Sequence, residues 1–300
     1  MKIVVAGGSG FVGEPMCRML LSRGHDVVVL SRNPFNVDAG RGRSWDAKTQ
    51  GLWAHEIDDA DAIVNLAGEN IGEGGRWSEE RKLNIILSRV NATRALVEAL
   101  RDAPPRPRAF VNASAIGYYG PHGDEELDES APAGNDFLSD VCRQWEEAAG
   151  TAEPLARLVI VRIGLVLARD GGALKKMLLP FRLFAGGKFG DGKQWMSWIT
   201  RDDLLRLFVW AIENDRARGV YNATAPSPVR NEDFVKTLGR VMHRPAIMPA
   251  PAFALRLALG EMADALLLSG QRVLPVHARN DGFTFETTDL ESGLRQLLVT

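Results

Sequence analysis

The chain has 300 residues, of which 45% are hydrophobic and 25% are charged, and this composition is typical of a globular protein with one large or two moderate domains. Its 36 basic and 38 acidic residues give a net charge of −2, which predicts no attraction to nucleic acid or to an anionic membrane surface. Two cysteines, Cys17 and Cys142, exclude a disulfide framework and indicate a reducing compartment.

The N-terminal residues do not resemble a targeting segment, because the first apolar run is not followed by a small-residue cleavage site. The longest apolar stretch, residues 158–168, is interrupted by Arg162 and is shorter than the roughly 20 residues that cross a membrane. We therefore expect a cytoplasmic protein that does not bind a membrane. The histidines are scattered, at positions 25, 55, 122, 243 and 277, so we expect no metal site.

Short apolar runs alternate with helical patterns through the first half of the chain. The predicted strands are residues 3–6, 27–30, 62–66, 109–111 and 158–161, and the predicted helices are residues 11–23, 79–101 and 136–149. The strands are apolar at successive positions, which is typical of strands buried on both faces of a parallel sheet. The sequence therefore predicts an α/β fold with a doubly wound parallel sheet.

The second half of the chain is interrupted by more glycine and proline, and its predicted helices are residues 231–242 and 252–268. The second of these helices is apolar on almost every side, so we expect it to be buried in a small domain or to form a dimer face. Residues 186–198 combine four glycines with aromatic side chains. This loop fits either a flap that closes over a substrate or a seam between domains.

A glycine-rich turn follows the first strand and opens the first helix. Residues 7–13 read Gly-Gly-Ser-Gly-Phe-Val-Gly and match both the G-x-x-G-x-x-G and the G-x-G-x-x-G spacing. Glycines let the backbone approach a diphosphate, and the helix N-terminus supplies free N–H groups and the positive end of its dipole. The turn therefore predicts a Rossmann-type dinucleotide site with contacts from Gly7, Gly10, Phe11, Val12 and Gly13.

The residues after the second strand indicate which dinucleotide binds. An NAD site has an acidic residue there that binds both ribose hydroxyls, whereas this chain has Ser31 and Arg32 and no acidic residue before Asp38. Serine can donate a hydrogen bond to a 2′-phosphate, and arginine can bind that phosphate while it stacks on adenine. One such charge-assisted contact, worth about 1.5–3 kcal/mol, predicts NADP(H) as the cofactor rather than NAD.

Several motifs resemble those of the extended short-chain dehydrogenase/reductase superfamily. They are the glycine turn, Asn65-Leu66-Ala67-Gly68, Arg89-Val90-Asn91-Ala92-Thr93, and Ser114 ahead of Tyr119-Gly120. Further segments, including residues 76–77, 117–120, 162–167, 219–222 and 270–275, resemble the subgroup of epimerase family proteins, also named nucleoside-diphosphate-sugar epimerase or cell-division-inhibitor-like proteins. The resemblance covers essentially the whole chain, including a short C-terminal domain of unknown function.

The resemblance implies a Rossmann-type NADP-binding domain at residues 1–168, completed by about 197–224, and a smaller, mainly C-terminal α+β substrate domain at residues 169–196 and 225–300. It implies further cofactor contacts from Leu66, Ala67, Gly68, Asn84, Arg89 and Ile163. Sheet core is the alternative role for Leu66 and Ala67, and helix surface is the alternative for Arg89. The substrate implied is a small molecule, with sugar nucleotides as one candidate class, and a homodimer is one candidate assembly.

The superfamily's catalytic pair, Tyr-x-x-x-Lys on the helix after the fifth strand, is missing. The three tyrosines, Tyr118, Tyr119 and Tyr221, are followed four positions later by His122, Gly123 and Ala225. Where the pair is expected, the chain has Phe137 and Val141 or, one residue along, Leu138 and Cys142. None of these side chains replaces a tyrosine and a lysine that move a proton while nicotinamide moves a hydride.

Three weaker catalytic candidates remain, namely Ser114, Tyr118 and Tyr119. Ser114 lies near the place where a superfamily serine or threonine orients a substrate carbonyl, although the register also allows Ala115 there. The two tyrosines fit either catalysis or packing at a domain seam. Glu146 could act as a base if it is buried, but we expect it to cap or pair at a helix surface, and we expect Cys142 to be core.

Two functions follow from these observations. The first is an NADP(H)-binding oxidoreductase or epimerase-like protein with an unidentified substrate, which the cofactor motifs favour. The second is a catalytically weak or inactive NADP(H) sensor that acts through a partner, which the missing Tyr-x-x-x-Lys pair favours. Fold alone does not decide between them.

Overall fold

A computed structural model of the protein describes residues 1–103 and 107–299. Its strands, in chain order, are β1 (Lys2–Ala6), β2 (Asp26–Ser31), β3 (Arg41–Ser44), β4 (Ala62–Asn65), β5 (Ala109–Ala115), β6 (Glu126–Leu127), β7 (Arg157–Ile163), β8 (Leu165–Leu167), β9 (Trp195–Met196), β10 (Trp198–Thr200), β11 (Gly219–Ala223), β12 (Val229–Arg230) and β13 (Arg272–Val273).

The helices are α1 (Gly13–Ser22), α2 (Glu79–Asp102), α3 (Phe137–Gly150), α4 (Gly172–Arg182), α5 (Arg201–Glu213), α6 (Asn231–Met242), α7 (Ala252–Leu259), α8 (Glu261–Ala263), α9 (Val276–Asn280) and α10 (Leu290–Leu298). Short 3₁₀ turns span Pro34–Asn36, Leu52–Glu56 and Ile116–Tyr119, and a π-helical turn spans Asp264–Leu268. Within the described residues, no helix is long and apolar enough to cross a membrane.

Seven parallel strands form the central sheet, in the order β11-β7-β5-β4-β1-β2-β3. The chain starts in the middle at β1, moves outward through β2 and β3, and then returns to β4 on the other side of β1. The carboxyl ends of β1 and β4 therefore border a topological switch point, where ligands bind in open parallel sheets. The predicted α/β fold with a doubly wound parallel sheet is confirmed.

Both faces of the sheet are covered, which explains the continuous apolar runs of its strands. In β1, Ile3 and Val5 belong to a core that includes α1 and α5, whereas Val4 and Ala6 belong to a core on the opposite face that includes α2. Because successive strand residues point to opposite faces, the residues from Ile3 to Ala6 are buried alternately against the two layers of helices. All five residues from Ile3 to Gly7 are enclosed or half-enclosed, with Ile3 to Ala6 fully buried.

A third core lies beyond the central sheet. It joins α4, α6 and α10 around the fully buried ring of Trp198, whose indole N–H donates to the Ser227 carbonyl at 3.0 Å. The pairs β8–β10, β9–β12 and β6–β13 form three two-stranded sheets outside the central sheet. The boundaries proposed for the two domains stay a prediction, although β11 and α5 pack with the central sheet.

One local prediction was wrong, and one strand was missed. The helix expected over residues 252–268 is broken at Gly260, whose φ of +62° is open mainly to glycine, and α7, α8 and the π-helical turn replace it. The edge strand β3 was not predicted, because its sequence Arg-Gly-Arg-Ser has no apolar run. Its pairing with β2, from Val28↔Arg41 to Ser31↔Ser44, is a tertiary contact that local pattern does not encode.

The glycine at the start of α1 provides a test of the tight first crossover. A Cβ added at Gly13 would lie 2.2 Å from the Gly7 carbonyl oxygen and 2.7 Å from the Gly8 Cα, and neither backbone atom can move aside cheaply. We expect Gly13→Ala to lower the free energy of unfolding by about 1–3 kcal/mol, as measured by urea denaturation. Gly150→Ala is the control, because no atom lies within 4 Å of a Cβ at Gly150, so its stability should be unchanged or higher. Equal stability of both variants would contradict the packing described for the turn.

Candidate cofactor and active site

The loop between β1 and α1 lies directly against the end of β4. Gly7 has a φ of +77°, and a Cβ there would lie 2.9 Å from the Leu66 carbonyl carbon and 3.0 Å from the Ala67 nitrogen. The Gly10 N–H donates to the Gly7 carbonyl at 3.1 Å, and α1 begins three residues later. The first N–H groups of a helix have no partner within it, so the turn and helix start form a cradle that suits a diphosphate.

Phe11 packs beneath the connection from β8 to α4. A Cβ at Gly171 would lie 2.5 Å from the Phe11 ring, and the Arg201 guanidinium lies 5.3 Å from the centre of that ring. The glycine turn is therefore held from two sides, by the end of β4 and by the residues that lead into α4. The neighbouring Val12 is half-buried against the core beneath α1, where it forms the N-cap of that helix.

Ser31 and Arg32 lie at the carboxyl end of β2, on the edge of the sheet that carries the glycine turn. Ser31 is buried, and its hydroxyl accepts a hydrogen bond from the Asn33 N–H at 3.2 Å. Arg32 is exposed, and within the part of the chain that the structure describes it has no hydrogen-bond or ion-pair partner. Its guanidinium is therefore free to bind an anion at this edge.

A buried hydrogen-bond network fixes the backbone at the end of β4. The Asn65 side chain accepts a hydrogen bond from the Ala67 N–H at 3.1 Å and donates to Asn112 at 2.7 Å and to Thr93 at 2.9 Å. The Trp145 indole N–H also donates to the Thr93 hydroxyl, at 3.1 Å. Asn65, Asn112 and Thr93 were not predicted as site residues. For Asn65 and Asn112 the available signal was a polar residue inside an otherwise apolar strand, since buried polar groups need partners, whereas Thr93 lies on α2.

Arg89 is half-buried on α2 and supports the loop that follows β4. Its guanidinium donates to the Glu69 carbonyl at 3.0 Å and to the Ile85 carbonyl at 2.9 Å. The central carbon of the guanidinium, Cζ, would lie 3.1 Å from a Cβ at Gly68. Burial lowers the pKa of Arg89, because removal from water disfavours its charged form. Asn84 is exposed one and a half turns earlier on the same helix.

These positions place most of the predicted cofactor residues along one edge of the sheet. Leu66 and Ala67 border the glycine turn, Gly68 lies against the Arg89 side chain, and Ile163 lies half-buried at the carboxyl end of β7. Arg89 also has a structural role, because it stabilises the backbone of Glu69. Direct contact of each residue with a cofactor stays a prediction.

A buried ion pair lies between β7 and α3. Arg162 of β7 donates to both carboxylate oxygens of Glu146, at 2.9 and 2.8 Å, and the Ser114 hydroxyl donates to the same carboxylate at 2.6 Å. The side chains of Arg162 and Glu146 are only 4% and 10% exposed. Burial alone would lower the pKa of Arg162, but hydrogen bonds and the charge of Glu146 raise it. The expectation that Glu146 caps or pairs at a helix surface was wrong.

Tyr119 extends this network into the protein. Its hydroxyl accepts a hydrogen bond from Arg162 at 3.0 Å and donates to the Asn222 side chain at 2.7 Å. The Asn222 backbone N–H in turn donates to the Glu129 carboxylate at 2.9 Å. Burial raises the pKa of Tyr119 to about 12, and the ring has no exposed surface. Of the two readings of Tyr119, packing is therefore the one that the geometry favours.

Tyr118 differs from its neighbour in exposure and in hydrogen bonding. Its ring lies 3.4 Å from the Arg162 guanidinium carbon and 5.5 Å from the Tyr119 ring. It is half-exposed, and its hydroxyl makes no hydrogen bond to the described residues. The stacked cation holds the ring without occupying the hydroxyl. Among the three catalytic candidates, Tyr118 is therefore the one with a hydroxyl available to a ligand.

The start of α3 presents apolar side chains where the catalytic pair was expected. A Cβ at Gly117 would lie 3.3 Å from the Leu138 Cβ and 3.8 Å from the Cys142 sulfur, so these two side chains face the turn that carries Tyr118. Phe137 instead packs against Trp77, with ring centres 5.1 Å apart. Burial raises the pKa of the Cys142 thiol to about 11, which agrees with a core residue. Within the described residues, no cluster of His, Cys, Asp and Glu could bind a metal ion.

Comparison with known proteins agrees with this geometry. Residues 3–224 match the model of the NAD dependent epimerase/dehydratase family, and residues 250–297 match a domain of unknown function, DUF1731. The epimerase family protein YfhF of Bacillus subtilis is 39% identical over 302 residues, covering 100% of this chain and 98% of that protein.

Two solved structures are similar over essentially all of this chain. The human epimerase family protein SDR39U1 (isoform 2), crystallised with NADPH, is 36% identical with a TM-score of 0.92, and the match covers 100% of both chains. A nucleoside-diphosphate sugar epimerase of Corynebacterium glutamicum is 33% identical with a TM-score of 0.80, covering 99% of this chain and 58% of that one.

The buried ion pair generates a stability prediction. We expect Arg162→Met to lower the free energy of unfolding by about 3–5 kcal/mol, because it leaves the Glu146 carboxylate buried without its cation. The double variant Arg162→Met/Glu146→Gln should recover at least half of the loss in urea denaturation. Glu147→Gln, at a neighbouring side chain that is 68% exposed, is the control and should stay within about 0.5 kcal/mol. A loss below about 1 kcal/mol for Arg162→Met would mean that the pair behaves as a surface contact.

Proposed function

The chain belongs to the NAD dependent epimerase/dehydratase family, and we propose that it is an NADP(H)-binding oxidoreductase or epimerase-like protein that acts without a Tyr-x-x-x-Lys pair. The observation that carries the cofactor assignment is the free Arg32 guanidinium beside the glycine turn, at a sheet edge without the acidic residue of NAD sites. The human relative crystallised with NADPH supports the same assignment.

Different residues at the carboxyl ends of the strands would bind different parts of the cofactor. The glycine turn and the start of α1 would bind the diphosphate, through backbone N–H groups that only small residues leave accessible. Ser31 and Arg32 would bind the 2′-phosphate of the adenosine ribose. Leu66 to Gly68 and Ile163 would border the nicotinamide half, with Arg89 holding the loop after β4 in place.

Arg32 provides the test of this assignment. We expect Arg32→Ala to weaken NADPH binding at least about tenfold in isothermal titration calorimetry, because one charge-assisted contact to the phosphate is lost. NADH has no 2′-phosphate, so its affinity should be nearly unchanged. Arg216→Ala, at another exposed arginine, is the control and should leave both affinities unchanged. Equal losses for NADPH and NADH would mean that Arg32 does not bind the phosphate.

Tyr118 is the proposed proton donor. NADPH, when bound, supplies a hydride, and a carbonyl oxygen that accepts electrons in that reaction must also gain a proton. Ser114 and Tyr119 already donate their hydroxyl protons to Glu146 and Asn222, whereas the Tyr118 hydroxyl is free within the described residues. Tyr118 would give its proton to the substrate oxygen and recover one from water, with its ring held on Arg162.

The substrate itself is assigned only by class. The Corynebacterium glutamicum relative is named as a nucleoside-diphosphate sugar epimerase, which makes sugar nucleotides the first class to assay. A cytoplasmic location and a homodimer stay predictions from the sequence.

A catalytically weak NADP(H) sensor is the second candidate function. Leu138 and Cys142 face the turn after β5, where a tyrosine and a lysine would otherwise relay a proton. Burial raises the pKa of Cys142 to about 11, so its thiol does not replace the lysine near neutral pH. In this alternative, cofactor binding alone would change the affinity for a partner.

A turnover assay distinguishes the two proposed functions. We expect the NADPH-loaded protein to oxidise its cofactor with at least one member of a panel of carbonyl compounds and sugar nucleotides, followed by NADPH fluorescence. Tyr118→Phe should lower kcat by about 10²–10⁴-fold with little change in NADPH affinity, since only the proton donor is removed. Phe35→Leu, at an exposed ring outside the network, is the control. Tight NADPH binding without turnover on any compound would favour the sensor.

A further inference from the structure

An apolar helix, α7, is left uncovered by the part of the chain that the structure describes. All eight residues of α7, Ala-Phe-Ala-Leu-Arg-Leu-Ala-Leu, are exposed or half-exposed, and none is buried. Phe253 and Leu257, one turn apart, are 73% and 76% exposed. Of the two roles expected for this segment, a buried domain helix and a dimer face, the first was therefore wrong for α7. Exposed apolar surface of this kind marks an interaction site.

The uncovered surface continues onto the neighbouring segments. Leu183, Phe184, Ile247 and Met248 are each more than half exposed. The backbone holds them together, because the Met248 N–H donates to Gly186 at 3.0 Å and the Ala250 N–H donates to Lys188 at 2.8 Å. Phe184 keeps its ring outward although its φ is +60°, a conformation that is uncommon for an aromatic residue. We call the exposed side chains of residues 179–188 and 240–257 the basic apolar surface.

The charged residues of this surface are all cations. Residues 179–188 and 240–257 contain no aspartate or glutamate, and their cations are Arg182, Lys188, Arg240, Arg244 and Arg256, while the exposed Asp191 and Glu261 lie just beyond its ends. Acidic residues outside the surface pair with three of these cations: Glu232 with Lys188, Glu291 with Arg240, and Asp264 with Arg256. Within the described residues, Arg182 and Arg244 form no ion pair. The net charge of −2 conceals this local excess of cations.

We propose that the basic apolar surface docks on an anionic lipid bilayer. Aromatic and aliphatic side chains on a short helix and its neighbouring loops can enter the region between headgroups and acyl chains, while lysine and arginine bind the anionic headgroups. This peripheral contact needs no membrane-spanning segment. It goes beyond the proposed function and revises the expectation of no membrane binding, which rested on the net charge of the whole chain and on the length of its longest apolar stretch.

A second copy of the chain fits this surface less well. A two-fold dimer would place the basic apolar surface against itself, so that cations on both copies would meet without intervening carboxylates from these segments. An anionic bilayer instead complements both properties of the surface, its charge and its apolar side chains.

Vesicle sedimentation tests the proposal on the full chain with NADPH bound. We expect the protein to sediment with vesicles of phosphatidylcholine and phosphatidylglycerol, not with phosphatidylcholine alone, and less as salt is raised. Phe253→Ser/Leu257→Ser and Arg182→Glu/Arg244→Glu should each weaken this binding on the order of tenfold or more. All four side chains are exposed, so neither double variant removes a core contact.

Two matched variants control for general effects of polarity and charge. Leu52→Ser replaces a leucine that is 90% exposed elsewhere, and Arg216→Glu/Arg218→Glu reverses two exposed cations outside the surface. Both should bind vesicles as the original protein does, and NADPH affinity should be unchanged in every variant. The proposal is overturned if the protein fails to sediment with anionic vesicles at low salt. It is equally overturned if both double variants still bind, or if Phe253→Ser/Leu257→Ser abolishes a dimer formed without lipid.

Discussion

One buried ion pair connects the elements that surround the candidate active site. Arg162 lies in β7, Glu146 lies in α3, and the same carboxylate accepts the Ser114 hydroxyl at the end of β5. The Arg162 guanidinium also stacks on the face of the Tyr118 ring and donates a hydrogen bond to the Tyr119 hydroxyl. A buried charge without its partner is costly, so this pair constrains how the sheet, α3 and the turn after β5 can be arranged. The positions of all three catalytic candidates depend on it.

The pair would also hold the proposed proton donor, Tyr118, in place without the superfamily's lysine. In the usual arrangement a lysine lies one helical turn from the tyrosine, on the same helix. Here the cation comes from a strand, and the tyrosine in contact with it comes from a turn, while α3 supplies the counter-charge and the apolar side chains of Leu138 and Cys142. The cation therefore lies against the face of the Tyr118 ring, a contact that orients the ring and leaves its hydroxyl free.

The sheet edge that carries the glycine turn and the basic apolar surface are built differently, the first from closely packed backbone and the second from exposed side chains. In the first, Gly7 and Gly13 allow backbone atoms to approach within distances that exclude a side chain. Such an edge suits a ligand with fixed diphosphate geometry. The second consists of exposed side chains on α7 and adjacent loops, which suits a partner without fixed geometry, such as a lipid surface.

The sequence alone determined the parallel sheet and the glycine turn and predicted a site for a phosphorylated ribose, because each depends on neighbouring residues or on a short period. Apolar runs specify strands buried on both faces, and Ser31-Arg32 follows β2 directly. Only the tertiary structure decided that Glu146 is buried against Arg162, that Asn65 bonds to Asn112, and that α7 is uncovered. These features join residues 16 and 47 positions apart or depend on what packs nearby. An apolar helix reads the same in sequence whether it lies in a core or on a surface, because its own residues do not specify its neighbours.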